Sequence, residues 1–135
     1  MDCPVCENPM IVLELKDVEI DFCTECQGIW LDAGELDQLL ADHQKTLDLM
    51  HSFSEHKEST EEKRKCPICS KKMLKILVGG KQPPLPIDLC SKDHGLWFDA
   101  GQLHDIIERA NLDEENKIID ILNEMFPEGN ANEAD

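Results

Sequence analysis

In the first 40 residues the spacing of apolar side chains changes from a strand-like pattern to a helical one. Residues 10–13 are apolar, a polar break follows at Lys16 and Asp17, and residues 18–22 alternate between apolar and polar side chains. This pattern is typical of a two-stranded hairpin with one covered face. In residues 36–40 the leucines instead keep helical spacing. The pattern therefore predicts a β-hairpin followed by an α-helix.

A capping signal marks the start of this helix. Asp32 stands three places before Glu35, which is the spacing of an N-cap residue and its capping-box partner. Asp99 and Gln102 repeat the same spacing later in the chain. We therefore interpret Asp32 and Asp99 as helix caps rather than as catalytic carboxylates.

The whole arrangement occurs twice. Residues 20–40 match residues 87–107 at a constant offset of 67, and two CPxC pairs match at an offset of 63. The second copy therefore has four extra residues, most simply in the loop at 79–86. The sequence thus predicts one structural module used twice.

Charge and apolar content divide the chain further. We predict module 1 at residues 1–50, a charged linker at 51–63, and module 2 at residues 64–126. Apolar residues within 112–126 suit an amphipathic helix at the end of module 2. The short polar and acidic segment 127–135 is predicted to be disordered.

Seven cysteines supply the candidate chemistry. A module of roughly 50 residues is too small to be stabilised by an apolar core alone. Two CxxC pairs joined by a hairpin bring four sulfurs together, which closes a tetrahedron around Zn²⁺. The first predicted zinc site has the ligands Cys3, Cys6, Cys23 and Cys26.

The second predicted zinc site has three cysteines and a fourth ligand to be decided. Its cysteines are Cys66, Cys69 and Cys90. Strict register puts Asp93 where module 1 has a cysteine, whereas His94, one place later, is the better zinc ligand in a closed structural site. We favour His94, with Asp93 as the alternative or as a supporting group beside it.

These observations predict a small metal-bound α+β fold. It consists of two tandem modules, each a β-hairpin between two zinc knuckles followed by an α-helix, with two Zn²⁺ per chain. We expect Trp30 and Trp97 to be core residues packed against the hairpins. We expect Gly28 and Gly95 to permit the turn out of the zinc knuckle and to bind nothing.

Net charge limits the partners of the chain. With 13 basic and 29 acidic side chains among 135 residues, the formal charge is −16, which disfavours broad binding to nucleic acid or to anionic membranes. No apolar run is long enough to span a bilayer, and no basic-then-apolar leader opens the chain, so we expect a cytoplasmic protein. One strip is nevertheless basic: Lys57, Lys63, Arg64, Lys65, Lys71, Lys72, Lys75 and Lys81.

The motifs CPVC, CTECQGIWLDAGEL and HGLWFDAGQL carry a resemblance. They resemble a bacterial family of small proteins named for the transcription factor IIB type of zinc ribbon, over residues 3–40 and 66–107. The resemblance implies a zinc-ribbon fold and two bound zinc ions. It does not imply basal transcription, because nothing downstream resembles the helical repeats of the initiation factor.

Three functions are compatible with the sequence. The favoured one is a protein-interaction or regulatory adaptor with structural zinc, with transcription as one setting and an unidentified protein as partner, acting as a monomer or homodimer. The alternatives are nucleic-acid binding through the basic second hairpin, and thiol redox or metal handling. No nucleophile with a base, no paired acids and no phosphate loop are present, so we predict that the chain is not an enzyme.

Overall fold

The computed structural model describes residues 1–40, 43–78 and 85–109. The elements along these residues are β1 (Ile11–Leu15), β2 (Val18–Phe22), β3 (Ile29–Asp32), α1 (Glu35–Leu40), α2 (His43–His51), β4 (Phe53–Glu55), β5 (Leu74–Val78), β6 (Leu85–Leu89), β7 (Gly95–Phe98) and α3 (Gln102–Arg109). The predicted helix at 112–126 and the predicted tail at 127–135 lie outside the described residues.

Strands from both modules join in one sheet. Its order is β1-β2-β3-β7-β6-β5-β4, and every neighbouring pair is antiparallel. Strand β3 of module 1 and strand β7 of module 2 pair in the middle, so that Trp30 lies directly opposite Trp97. The predicted α+β fold of tandem zinc ribbons is therefore confirmed, with the two modules sharing a continuous sheet.

Local sequence explains the hairpin of module 1. Strands β1 and β2 are joined by Lys16 and Asp17, which both have positive φ angles, 53° and 64°. Two such residues form the tight turn that matches the twist of a two-residue hairpin. Strands β5 and β6 form the corresponding hairpin of module 2. The hairpin pattern in the sequence thus predicted four strands, but not β3, β4 or β7.

The two faces of the sheet have different partners. On one face, alternating residues of the strands form an apolar core with the helices. Leu36, Leu39 and Leu40 of α1 belong to this core, as the helical spacing predicted. On the other face, Trp30 and Trp97 are fully buried in a second cluster with the cysteines. One face is therefore covered by helices and the other carries both candidate metal centres.

Each tryptophan packs against the other module. A Cβ atom at Gly28 would overlap the ring of Trp97, and a Cβ atom at Gly95 would come within 2.7 Å of the Trp30 ring. The sequence did not indicate these contacts between the glycines and the tryptophans. The two glycines allow the tryptophan of the opposite module to approach the backbone. The motif Gly-x-Trp therefore joins the two modules.

The predicted linker contains a short strand. Phe53–Glu55 forms β4, which pairs with β5 at the edge of the sheet. Phe53 lies opposite Val78 and packs against the apolar core. A three-residue strand is too short to show a period-2 pattern, so the sequence did not indicate it.

Candidate metal centres

Each metal centre is built from two tight turns that present sulfur atoms. In three of the four turns the residue after the second cysteine has a positive φ, and its N–H donates to the carbonyl of the first cysteine at 2.8–2.9 Å. These residues are Glu7, Gln27 and Ser70. The N–H groups of Val5 and Cys6 also lie 3.3 Å from Sγ of Cys3. Such backbone donors stabilise a negatively charged thiolate.

The first donor group unites the four cysteines predicted for module 1. Sγ atoms of Cys3, Cys6, Cys23 and Cys26 all lie within 4.8 Å of one another. The sulfurs of Cys3 and Cys26 are 3.6 Å apart. A tetrahedron with Zn–S bonds of about 2.3 Å has edges of about 3.8 Å, so this spacing suits Zn²⁺.

The second donor group unites Cys66, Cys69, Cys90 and His94, again within 4.8 Å. Sγ of Cys90 lies 3.8 Å from Sγ of Cys69 and 3.5 Å from Nδ1 of His94. The mixed edge of a tetrahedral zinc site, with a Zn–N bond of about 2.0 Å, is roughly 3.5 Å. This group also has the spacing of a zinc site, with the histidine in fourth place.

A shortened turn explains how His94 reaches the group. In the fourth turn the residue with positive φ is Asp93, at 61°, and its N–H donates to the carbonyl of Cys90 at 3.0 Å. The turn thus closes one residue earlier than the other three. Aspartate tolerates this conformation better than most residues. Asp93 therefore belongs to the turn and is not a member of the donor group, while ligation of zinc by His94 stays a prediction.

Backbone donors and burial act in opposite directions on the thiols. Burial alone would raise the pKa of Cys90, but N–H groups of His94 and Lys92 and the neighbouring thiols outweigh it and lower the pKa to about 7. Burial prevails at Cys66 and raises its pKa to about 11. A zinc ion must therefore displace protons from some of these thiols when it binds. The donor sets fit two zinc ions per chain.

Module 2 and the end of the linker share an ion-pair network, buried at its centre, that the sequence did not indicate. Asp88 accepts contacts from Lys75 Nζ at 2.7 Å and from Arg64 Nη1 at 3.1 Å. Arg64 continues to Asp99 at 2.7 Å, and Lys75 continues to Glu61 at 2.9 Å. The side chains of Asp88 and Lys75 are only 2% and 4% exposed. We refer to these five residues as the ion-pair network.

Module 1 lacks the cations of this network. By register, Val12 takes the place of Lys75, and Asp21 takes the place of Asp88. Burial, together with the charge of Asp32, raises the pKa of Asp21. Burial also raises the pKa of Glu35, again with Asp32 and Asp21 contributing. The acids of module 1 therefore repel one another where those of module 2 are paired.

The structure divides the predicted basic strip. Lys75 and Arg64 are engaged in the ion-pair network. The lysines that remain exposed are Lys57, Lys63, Lys65, Lys71 and Lys72, and Lys81 lies outside the described residues.

Asp32 and Asp99 lie three residues before the first residues of α1 and α3, and their carboxylates bind tryptophans instead of helix N–H groups. Their N–H groups donate to the side chains of Glu35 and Gln102 at 2.7 and 2.8 Å, which is half of the predicted capping box. Their carboxylates instead accept the indole N–H of the tryptophan two residues earlier, at 2.6 and 3.0 Å. These aspartates therefore fix the tryptophans beside the metal centres.

Comparison with known proteins relates module 1 to a family. Residues 2–42 match the model of a family described as "Transcription factor zinc-finger", of the transcription factor IIB type of zinc ribbon. The match covers the first donor group and confirms the predicted resemblance for module 1. No curated protein and no solved structure matches the chain. Within the described residues, no helix is long and apolar enough to cross a membrane.

Proposed function

We propose that this chain, whose residues 2–42 form a zinc ribbon of the transcription factor zinc-finger type, is an adaptor that binds another protein. In this proposal the two zinc ions stabilise the fold and take no part in chemistry, so the chain is not an enzyme. The adaptor works in the reducing cytoplasm, where its thiols stay available to zinc. The family description supports gene expression as the setting.

The closed donor sets carry this proposal. Each group offers four donors at tetrahedral spacing, which occupies every coordination position of Zn²⁺. Catalytic zinc sites keep one position open for water or substrate. Zinc held in this way contributes on the order of 10–16 kcal/mol of apparent binding free energy, which is enough to fold small modules.

Charge distribution favours a protein partner over nucleic acid. Residues 1–50 contain 2 basic and 12 acidic side chains, so module 1 repels phosphates. Two cations of the basic strip, Arg64 and Lys75, are already paired with carboxylates. Their charge is therefore largely neutralised within the chain.

Native mass spectrometry combined with partner capture tests the proposal. We expect the purified chain to retain two zinc ions and to capture a protein from a lysate of its source. A Cys6→Ser/Cys69→Ser double variant, which removes one sulfur from each donor group, should lose both the zinc and the partner. If the zinc ions exchanged while the chain converted a small molecule, zinc would not be purely structural. If partner capture persisted without zinc, the zinc-stabilised fold would not be what binds the partner.

A gel shift at low salt separates the nucleic-acid alternative. Binding that is lost in Lys71→Glu/Lys72→Glu would favour it, because these exposed lysines stand outside the ion-pair network. Lys75 is unsuitable for this test because its removal would disturb the buried Asp88. Rapid loss of zinc to a mild oxidant would instead favour thiol redox or metal handling.

A further inference from the structure

The outer edge of strand β1 offers unused backbone groups. Within the part of the chain that the structure describes, β1 is the last strand on its side of the sheet. Leu15 and Val18 flank a two-residue turn, so they form a hydrogen-bonded pair, and the N–H groups of Val12 and Glu14 point away from β2. A free edge of this kind is a place where another strand can pair.

Module 2 shows what occupies the equivalent edge. Strand β4 pairs there with β5, and the N–H of His56 donates to the carbonyl of Lys75 at 2.7 Å. Lys75 corresponds to Val12 of module 1 by the offset of 63. The same backbone position that is free in β1 therefore accepts a hydrogen bond from an added segment in module 2.

The side chains beside the β1 edge are acidic. Glu14 lies directly opposite Glu19, and Asp21 follows on the same face of β2, next to Trp30 and Asp32 of β3. Like charges that lie directly opposite each other destabilise a sheet. We refer to Glu14, Glu19, Asp21 and Asp32 as the acidic face.

Module 2 again supplies an independent comparison for this face. The positions of Glu14 and Glu19 are taken by Leu77 and Pro86, which carry no charge. Asp88, in the position of Asp21, binds a lysine and an arginine. The arginine belongs to the segment that follows β4. The equivalent carboxylate thus binds basic side chains when they are supplied.

We propose that β1 and the acidic face bind an extended, basic segment of a partner protein, which adds to the sheet as an eighth strand. This inference rests on the proposed adaptor function and names the chemistry of its partner. Charge decides between the possible occupants. Residues 111–135 of this chain contain 1 basic and 8 acidic side chains, and a second copy that paired through its own β1 edge would bring its own acidic face against this one. Both would be repelled by the acidic face.

The pairing of β4 also predicts the pattern of the bound segment. Phe53 lies opposite Val78 and Ser54 lies opposite Leu77. By the offset of 63, Val78 and Leu77 of β5 correspond to Leu15 and Glu14 of β1. The partner strand should therefore place an apolar residue opposite Leu15 and a lysine or arginine opposite Glu14. Val12, which is 59% exposed, provides apolar surface beside the edge.

A labelled ten-residue peptide of alternating valine and lysine is a direct probe. We expect it to bind the zinc-loaded full chain in fluorescence anisotropy, while a peptide of alternating valine and glutamate does not bind. Glu14→Gln/Glu19→Gln should weaken binding by about fivefold, because each partly exposed ion pair contributes modestly. As a matched control, Asp17→Asn/Glu25→Gln removes two exposed charges of module 1 outside the acidic face and should change binding by less than about twofold.

Val12→Pro tests the strand geometry. Proline removes an N–H that the sheet itself does not use, and it is tolerated on edge strands. We expect two bound zinc ions and at least about fivefold weaker peptide binding, from the lost backbone hydrogen bond. Amide hydrogen exchange should show protection of Val12 and Glu14 only when the peptide is present.

Three results would overturn the inference. One is equal binding of a peptide of the same composition with its lysines in one block, since this would indicate charge attraction without strand pairing. Another is protection of Val12 and Glu14 in the free chain, because the edge would then already be covered. A third is capture of a cellular partner that is unaffected by Glu14→Gln/Glu19→Gln and by Val12→Pro. That last result would leave the adaptor function standing and exclude this surface.

Discussion

Asp88 in module 2 and Asp21 in module 1 occupy equivalent positions in equivalent hairpins, yet their surroundings differ. Asp88 is buried between Lys75 and Arg64, whereas Asp21 faces Val12 across the strands and other acids along its own face. Strand β4 covers the edge of the hairpin in module 2, while β1 stands at the end of the described sheet. The edge strand of the hairpin is therefore paired with β4 in module 2, whereas no described strand pairs with the outer edge of β1 in module 1.

This difference shows how two copies of one fold can take different roles, one with its sheet edge covered and the other with a surface for a partner. Burying a paired charge brings little net stability, but it covers the sheet and removes a contact surface. Exposed acids that repel one another reduce stability and preserve a surface for a basic partner. Four predictions test whether the two modules differ in this way.

Removal of a metal ligand should have the largest effect. We expect His94→Ala to lose one zinc ion and to unfold module 2, since structural zinc contributes on the order of 10 kcal/mol in small domains. Native mass spectrometry and circular dichroism measure the two effects. Asp93→Ala is the matched control and should keep two zinc ions, because Asp93 lies in the turn and outside the donor group. A second zinc lost only in Asp93→Ala would assign the ligand to the aspartate.

Asp88→Asn should lower the free energy of unfolding by about 3 kcal/mol, which is typical of breaking a buried ion pair. The reason is that Lys75, which is almost fully buried, and Arg64, which is 22% exposed, would lose their shared carboxylate. Denaturant unfolding of the zinc-loaded chain measures the loss. A change below about 1 kcal/mol would show that the network is not coupled to folding.

Adding a methyl group at the junction of the modules should destabilise both of them. Gly95→Ala places a Cβ atom against the carbonyl of Leu31 and the ring of Trp30, so we expect a loss of about 1–3 kcal/mol. Gly28→Ala places its Cβ atom against the fully buried ring of Trp97, and we expect a loss of similar size.

Trp97→Phe provides the internal control for this junction. The smaller ring leaves space over Gly28, so Gly28→Ala should be less destabilising in the Trp97→Phe background than in the natural chain. Thermal unfolding of the two single variants and the double variant completes the cycle. Strictly additive effects would contradict contact between Gly28 and Trp97.

Asp21→Asn should have the smallest effect on the free energy of unfolding, and it should raise this free energy where Asp88→Asn lowers it. Burial and the charge of Asp32 raise the pKa of Asp21 above its ordinary 3.8. The folded chain therefore holds this proton more tightly than the unfolded chain, and stability falls as the pH rises from 3.8 through the raised pKa. Asp21→Asn removes this loss. We expect it to stabilise the chain at neutral pH by less than about 1 kcal/mol, because the carboxyl is partly exposed.

Comparison of Asp21→Asn with the natural chain at about pH 7 and at successively lower pH checks the sign, since the advantage should shrink as the pH falls towards 3.8. Acid affects the zinc sites of both chains equally, so this effect cancels in the difference between their free energies of unfolding. A destabilised Asp21→Asn variant at neutral pH would mean that Asp21 has a favourable partner, and would weaken the contrast between the modules.

Local patterns explain which parts of this fold could be predicted. The hairpins, the helix starts and the grouping of cysteines depend on residues close together in sequence, and period, capping and CxxC spacing record such arrangements. The central strands were missed because β3 and β7 are only four residues long and buried on both faces, which removes alternation. The ion-pair network was missed because Arg64 and Asp99 are 35 residues apart.

The fourth member of the second donor group, His94, illustrates what the sequence could not decide. Register alone pointed to Asp93, and zinc chemistry favoured His94. The deciding feature is a turn that closes one residue earlier, and a single positive φ at Asp93 produces it. Nothing in the spacing of the cysteines distinguishes the two turn lengths, although an aspartate before the histidine is compatible with the shorter one.

The pairing of Trp30 with Trp97 has a consequence for how the molecule can change over time. Antiparallel strands with equivalent residues face to face form the self-complementary contact of a two-fold symmetric dimer, held here within one polypeptide. In a true homodimer every substitution occurs twice, so a lysine gained by one hairpin is gained by both. Joining the halves in one chain removes this constraint. A lysine can then be fixed opposite Asp88, while the equivalent position opposite Asp21 remains Val12.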